Sequence, residues 1–244
     1  MSEHYVGSVA REGAWLAVAY TLEGFDHAAV FDGVGELWTR YEESAERIAI
    51  DVPIGLETAS APRPNERAAR GVLGGRGDAI VPAPVREAAK KHRYRAANRV
   101  HERKTGAELP RRAFDRAPTV AAVDEFLGAI DDARPVFLEA HPELCYFAFS
   151  GDGPSEPPGV ASGYAERMRA LAEFDRDAPP TVQSVAEATT GFRLPIPAVL
   201  DAVALGLTVC PGTGSLRSLP EEPATDERGL QMAYVYRSGA ALSG

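Results

Sequence analysis

Cysteine is scarce in this chain: 244 residues contain two, Cys145 and Cys210. That excludes a disulfide framework and a thiolate metal cluster, and it points to a reducing cytoplasm. No apolar run reaches the ~20 residues of a membrane span. The opening Met-Ser-Glu-His-Tyr has neither the basic nor the apolar region of a secretory signal, so no membrane partner is expected. A Walker-type loop and paired Gly-rich phosphate loops are both missing, which disfavours a phosphotransferase; Gly212-Thr213-Gly214-Ser215 reads as a surface turn. Lysine is rare too. The only three, Lys90, Lys91 and Lys104, fall between Arg63 and Arg116.

That basic segment is the first positive signal. It holds 12 Arg and 3 Lys against 6 acids, whereas the whole chain carries a net charge of −9. Such asymmetry steers a phosphate-bearing partner, or else it is a solvated helical face offsetting the acidic body. Arg63, Arg67 and Arg70 are three and four apart and can share a helical face. With Arg76, Arg86 and Lys104 they form a candidate clamp for a nucleic-acid backbone; salt bridging to the acidic body is the competing reading. Abundant acid with little lysine also resembles the composition of proteins from high-salt habitats.

At 45% hydrophobic, the chain can bury a sizeable core, and its length suggests one domain with a helical insertion over about 60–134. Residues 5–10 and 14–22 read as a β-hairpin turning at Arg11-Glu12-Gly13, and 28–31 as a third strand. A helix is expected over 35–46 and a buried strand over 47–52. Helices follow around 64–73, 84–101 and 119–131. Residues 135–139 return to strand, and Pro142 opens a helix to about 149. Further helices are expected over 164–174, 181–189 and 197–209, then a turn-rich stretch over 211–228 and a last edge strand over 230–236. The order predicts a mixed α/β fold with a partly antiparallel sheet flanked by helices.

Three acidic clusters carry the chemistry. Asp51, in Ile50-Asp51-Val52-Pro53, stands where a buried strand meets solvent; it is a turn cap or a site residue at a strand end. Glu139 and His141, two apart in extended chain, share a face, and His141 can ligate metal or move a proton near neutral pH. Glu143 suits a helix N-terminus by charge alone. Asp201 interrupts the apolar run 196–209, where an unpaired charge facing the core is disfavoured, so it faces solvent or a cation.

In order, Ile-Asp-Val-Pro-Ile-Gly-Leu (50–56), Arg-Ala-Ala-Arg-Gly-Val-Leu-Gly-Gly-Arg with Pro-Ala-Pro-Val-Arg (67–86), Glu-Ala-His-Pro-Glu (139–143), Leu-Asp-Ala (200–202) and Asp-Glu-Arg-Gly-Leu-Gln-Met-Ala-Tyr (226–234) resemble the domain of unknown function 429 family. These are predicted nucleases with an RNase H-like fold. The resemblance spans nearly the whole chain. It implies a metal-dependent nuclease using Mg²⁺ or Mn²⁺, with Asp51, Glu139, Asp201 and Glu143 as ligands and His141 handling the proton. A non-catalytic nucleic-acid-binding or regulatory protein on the same fold is the alternative. Two positions depart from the pattern. Val9 stands where the family's strand-one aspartate would bridge two metals, and Ala198 replaces an acid in the late helix. Glu12, in the hairpin turn, is the nearest substitute. Asp51, Glu139 and Asp201 would support one ion with waters, while two would be under-supplied.

Overall fold

The computed structural model describes residues 3–11 and 13–242; Glu12 lies outside them. Along the chain run β1 (His4–Arg11), β2 (Ala14–Thr21), β3 (Gly24–Phe31), α1 (Val34–Tyr41) and β4 (Ala45–Ile50). The next segment contributes α2 (Pro64–Leu73), α3 (Arg86–Ala89), α4 (Tyr94–Thr105) and α5 (Arg111–Ala129). Then come β5 (Phe137–Glu139), α6 (Pro142–Ser150), α7 (Ala161–Phe174), α8 (Ala178–Ala188), α9 (Ile196–Val209), β6 (Ser215–Thr225) and β7 (Gln231–Ser238).

The main sheet has the order β3-β2-β1-β4-β5. β1 is antiparallel to β2 and β2 to β3, whereas β4 runs parallel to both β1 and β5. The fold is therefore mixed α/β, as expected. Two compact units divide the chain. The first holds the chain up to Asp51, Pro135–Arg217 and Val235–Leu242; the second holds Val52–Arg134 and Ser218–Tyr234. The predicted insertion thus forms most of the second unit.

In the first unit α9 is buried on all sides from Ala198 to Val209, as its unbroken apolar sequence requires. It packs on β1, β2 and β4 around a core that includes Val9, Leu16, Val18, Ala49 and Leu200. Two glycines set the contact. A Cβ on Gly7 would fall 2.1 Å from the Gly206 backbone nitrogen, and one on Gly206 would fall 2.5 Å from the Tyr20 ring. Helix and sheet backbones approach this closely because neither position carries a side chain. Alternation along β1 then puts Val9 and Arg11 on the same face as Gly7, toward α9.

In the second unit, Gly55 adopts φ +73°, and a Cβ there would meet Met232 and the Leu230 carbonyl at 2.8 and 2.9 Å. This is the physical reason for glycine in Ile-Asp-Val-Pro-Ile-Gly.

Several boundaries differ from expectation. The helix expected over 35–46 stops at Tyr41, because Ala45–Ile50 is drawn into the sheet between β1 and β5. The helix expected over 84–101 is two, α3 and α4. α5 starts eight residues before the expected 119 and runs through Pro118; that proline is exposed, while Ala113, Ala117 and Val120 hold the helix by their burial. β6 lies in a stretch read as turns, since Pro220 and Pro223 argue against a central strand. It pairs only with β7, in a two-stranded ribbon, so residues 230–236 belong to that ribbon and not to the edge of the main sheet.

Candidate functional site

Parallel pairing places two of the acidic clusters side by side. Ile50 is the register partner of both Ser8 and Glu139. The ladder continues just beyond, with the Ala140 amide donating to the Ile50 carbonyl at 2.9 Å and the Asp51 amide to the Ser8 carbonyl at 3.4 Å. Asp51 therefore sits one residue past the end of β4, where its Oδ1 accepts from the Ala10 amide at 3.2 Å. Asp201 arrives on the third side, from the N-terminal half of α9.

Between these two carboxylates lies a cation that the sequence reading did not single out. The Arg11 guanidinium donates from Nη1 to Asp51 Oδ2 and from Nη2 to Asp201 Oδ2, the latter at 3.1 Å. Its side chain is 28% exposed, against 4% for Asp51 and 12% for Asp201. Arg11 thus caps the pair from the solvent side. By sequence Arg11 reads as a turn residue; the available signal is the two-residue period along β1 that sets it in line with Gly7 and Val9.

A second layer stands behind. Tyr146 Oη donates to Asp201 Oδ1 at 3.2 Å. The guanidinium of Arg167 lies 5.6 Å from the centre of the Tyr146 ring and donates to Glu143 Oε1. Arg167 is fully buried and also donates to the Glu156 and Gly163 carbonyls, each at 3.0 Å. Two arginines thus face three carboxylates. Burial pushes the Asp201 carboxyl up to about 7, with the neighbouring Asp51 and Glu143 charges adding to the rise and Arg11 and Tyr146 opposing it. Burial next to Asp201 likewise raises the Tyr146 hydroxyl well above its ordinary value. The Cys145 thiol, pushed up to about 12 by burial, is no nucleophile.

Val9 and Ala198, the two apolar replacements, are both fully buried in the α9 core. Glu139 ends β5 and is buried. Its strand neighbour Leu138 packs against the α9 core, so alternation starts Glu139 from the opposite face of the sheet. His141, half-buried, is the N-cap residue of α6, and its carbonyl accepts from the Leu144 and Cys145 amides. Glu143 lies in the first turn of that helix. Asp51 and Asp201 therefore meet on one guanidinium, with Glu143 held by a second.

The family model described as Protein of unknown function (DUF429) matches residues 10–225. The chain belongs to the DUF429 family. No curated protein and no solved structure matches it. The matched span includes Arg11, Asp51, Glu139, Glu143 and Asp201 and begins just after Val9.

The DUF429 motifs of the second unit build a buried polar network. Arg63 donates from Nε to Glu66 Oε1 at 2.8 Å and from Nη1 to the Ile54 and Gly55 carbonyls at 3.0 and 3.1 Å. Glu66 also accepts from the Arg63 and Ala83 amides. Arg86 donates to both oxygens of Asp124 at 3.1 Å and to Asp226, and Asp226 accepts from the Leu56 amide at 3.0 Å. Arg63 and Arg86 are thus buried packing residues of this unit. Arg63 precedes α2 as its N-cap residue, so it does not share an exposed face with Arg67 and Arg70. Arg67 is exposed and donates to the Pro62 carbonyl. Arg70 is half-buried and donates to the Ile80 carbonyl at 2.7 Å. Arg76 is half-buried in the turn after α2, and Lys104 lies 3.1 Å from Glu87. The sequence reading passed over Arg95, Arg99 and Arg103, which are four apart on α4 and all exposed; that spacing was the signal for one basic stripe. Among the described residues, no helix is long and apolar enough to cross a membrane.

Proposed function

We propose that this DUF429 protein is an RNase H-like phosphodiester hydrolase whose centre accepts one Mg²⁺ or Mn²⁺ in exchange for the Arg11 guanidinium. The observation that carries it is the convergence of Asp51 and Asp201 on a single cation at the carboxyl end of the parallel strands. The sheet supports the RNase H-like reading, being an antiparallel three-strand meander extended by two parallel strands. Two buried, closely spaced carboxylates are hard oxygen donors suited to one such ion with waters. They do not fit a two-ion site, since Val9 and Ala198 contribute core packing where further acids would stand. Asp51 and Asp201 would hold the ion, with Glu143, held by Arg167, as the next acid; Glu139, which leaves the opposite face of the sheet, is not placed as a ligand.

A hard divalent ion held there would lower the pKa of bound water and offset phosphate charge. His141, the N-cap residue of α6, is the group this reading assigns to take a proton near neutral pH. Arg11, once released from the carboxylates, presents a planar fork matched to a phosphate. The exposed stripe Arg95, Arg99 and Arg103, with Arg67 and Lys104, supplies sequence-independent attraction to a nucleic-acid backbone. A cytoplasmic setting is part of this reading and rests on two free cysteines.

Labelled DNA and RNA incubated with Mg²⁺ or Mn²⁺ should be cleaved by the native chain and not by Asp51→Asn. Cleavage indifferent to that substitution would sink the assignment. A second reading has its own support in Arg11 and Val9: a guanidinium locked between the acids makes a non-cleaving, nucleic-acid-binding member. It requires salt-dependent binding without metal-dependent turnover.

A further inference from the structure

At the opposite end of β1 from Arg11, ~23 Å away along the strand, three ligand-type side chains meet. His4 Nε2 lies 3.1 Å from Asp26 Oδ2, and His27 Nδ1 lies 2.7 Å from the same oxygen. One ligand atom from each lies within 4.8 Å of the other two. Adjacent strand residues normally point to opposite faces, so Asp26 and His27 should not meet. They do because β3 is irregular there: Ala19 pairs with His27 while Tyr20 pairs with Phe25, leaving Asp26 as the extra residue of a bulge. A second shift, between His4 and Tyr5 against β4, re-aims the start of β1.

The far nitrogen of each ring is held as well. His4 Nδ1 is 3.0 Å from Ser44 Oγ, and His27 Nε2 is 2.9 Å from the hydroxyl of the fully buried Tyr41. The Tyr41 ring also stands edge-on to His4 and parallel to His27. When the two hydroxyls accept from these nitrogens, both bare nitrogen lone pairs converge on the Asp26 carboxylate. In that tautomer the three electron-rich atoms are arranged as ligands around a cation. Orientation of each ligating imidazole through its second nitrogen is the usual support of a metal-binding histidine.

We propose that His4, Asp26 and His27 form a binding site for a transition metal of the Zn²⁺ class, separate from the acidic centre at Asp51 and Asp201. Imidazole nitrogen with carboxylate oxygen suits Zn²⁺ better than Mg²⁺. Bonds of ~2.0 Å in a tetrahedron separate ligand atoms by ~3.3 Å, which the observed spacings approach with small side-chain adjustments. The fourth position is open to solvent through Asp26, whose side chain is 45% exposed.

Zn²⁺ titration of the full chain by calorimetry, with Co²⁺ absorption as a second probe, tests the site. Saturable uptake of one equivalent is expected, together with a tetrahedral Co²⁺ band in the visible. Asp26→Ala and His27→Ala should each weaken uptake at least tenfold, Tyr41→Phe by ~10-fold, and Asp51→Asn should leave it unchanged. Uptake unaffected by Asp26→Ala and His27→Ala, or the absence of both saturable Zn²⁺ uptake and the Co²⁺ band in the native chain, would overturn the proposal. The Co²⁺ spectrum of the native chain does not depend on whether any variant folds.

Discussion

Two arginine–carboxylate networks of similar composition do different work in this molecule. In the second unit Arg63 and Glu66 are sealed: their side chains are 2% and 0% exposed, and the guanidinium also serves two carbonyls. In the first unit the carboxylates of Asp51 and Asp201 are comparably buried, but the cation between them, Arg11, is reachable from solvent. A sealed pair fixes a fold. A pair whose cation sits at the mouth leaves room for the cation exchange proposed above. The contrast turns on where the arginine stands, more than on how many charges are present.

The largest expected effect comes from breaking the sealed network. Glu66→Ala leaves the Arg63 charge buried without its carboxylate and should destabilise the second unit by about 3–5 kcal/mol, read by urea denaturation. A loss under about 1 kcal/mol would mean that the network is not sealed in solution. Next is the delivery of Asp201. Gly7→Ala drives a methyl into the Gly206 backbone and should cost about 3 kcal/mol, at the upper end for overpacking; an unchanged melting temperature would show that α9 does not rest on β1 this closely.

An effect of intermediate magnitude is expected from the pH dependence of Asp201. Folding raises the Asp201 carboxyl from 3.8 to about 7. Between those values the folded chain keeps a proton that the unfolded chain has released, so this group's contribution to stability is complete below pH ~4 and is lost as pH rises through ~7. Asp201→Asn removes the term. Relative to the native chain it should gain on the order of 2 kcal/mol between pH 4 and pH 8, measured by denaturation at both. A difference that does not move with pH contradicts the assignment. The smallest effect is expected for Arg11→Ala, about 1 kcal/mol without metal, because water can replace a partly exposed guanidinium. Added Mn²⁺ should restore that loss, which a thermal melt would detect.

Much of this layout was legible in the sequence. Alternation and turn residues identify β1 and β2, and Asp51 and Glu139 do end adjacent parallel strands. The apolar run around Asp201 disfavours an unpaired charge there, and its carboxylate meets Arg11. What stayed hidden was long-range. Arg11 reads as a turn residue until α9 is docked, 190 positions later, through Gly7 and Gly206. Arg63 looks like one member of an arginine face until burial shows it closing on Glu66. Asp26 and His27 lie ahead of the third strand expected over 28–31, and the bulge that brings them together has no periodic signature. β6 is masked by its prolines, whose missing amides a two-stranded ribbon tolerates.

Asp51 and Asp201 are proposed to form a cation site in which Arg11 is exchangeable. Mn²⁺ affinity of the native chain, Arg11→Ala and Asp51→Asn, measured side by side at low ionic strength, tests it most directly. The expected order is tightest for Arg11→Ala, by at least tenfold over the native chain, with Asp51→Asn the weakest. Equal Mn²⁺ affinity in Arg11→Ala and the native chain would contradict the claim and leave Arg11 as a permanent structural counter-ion.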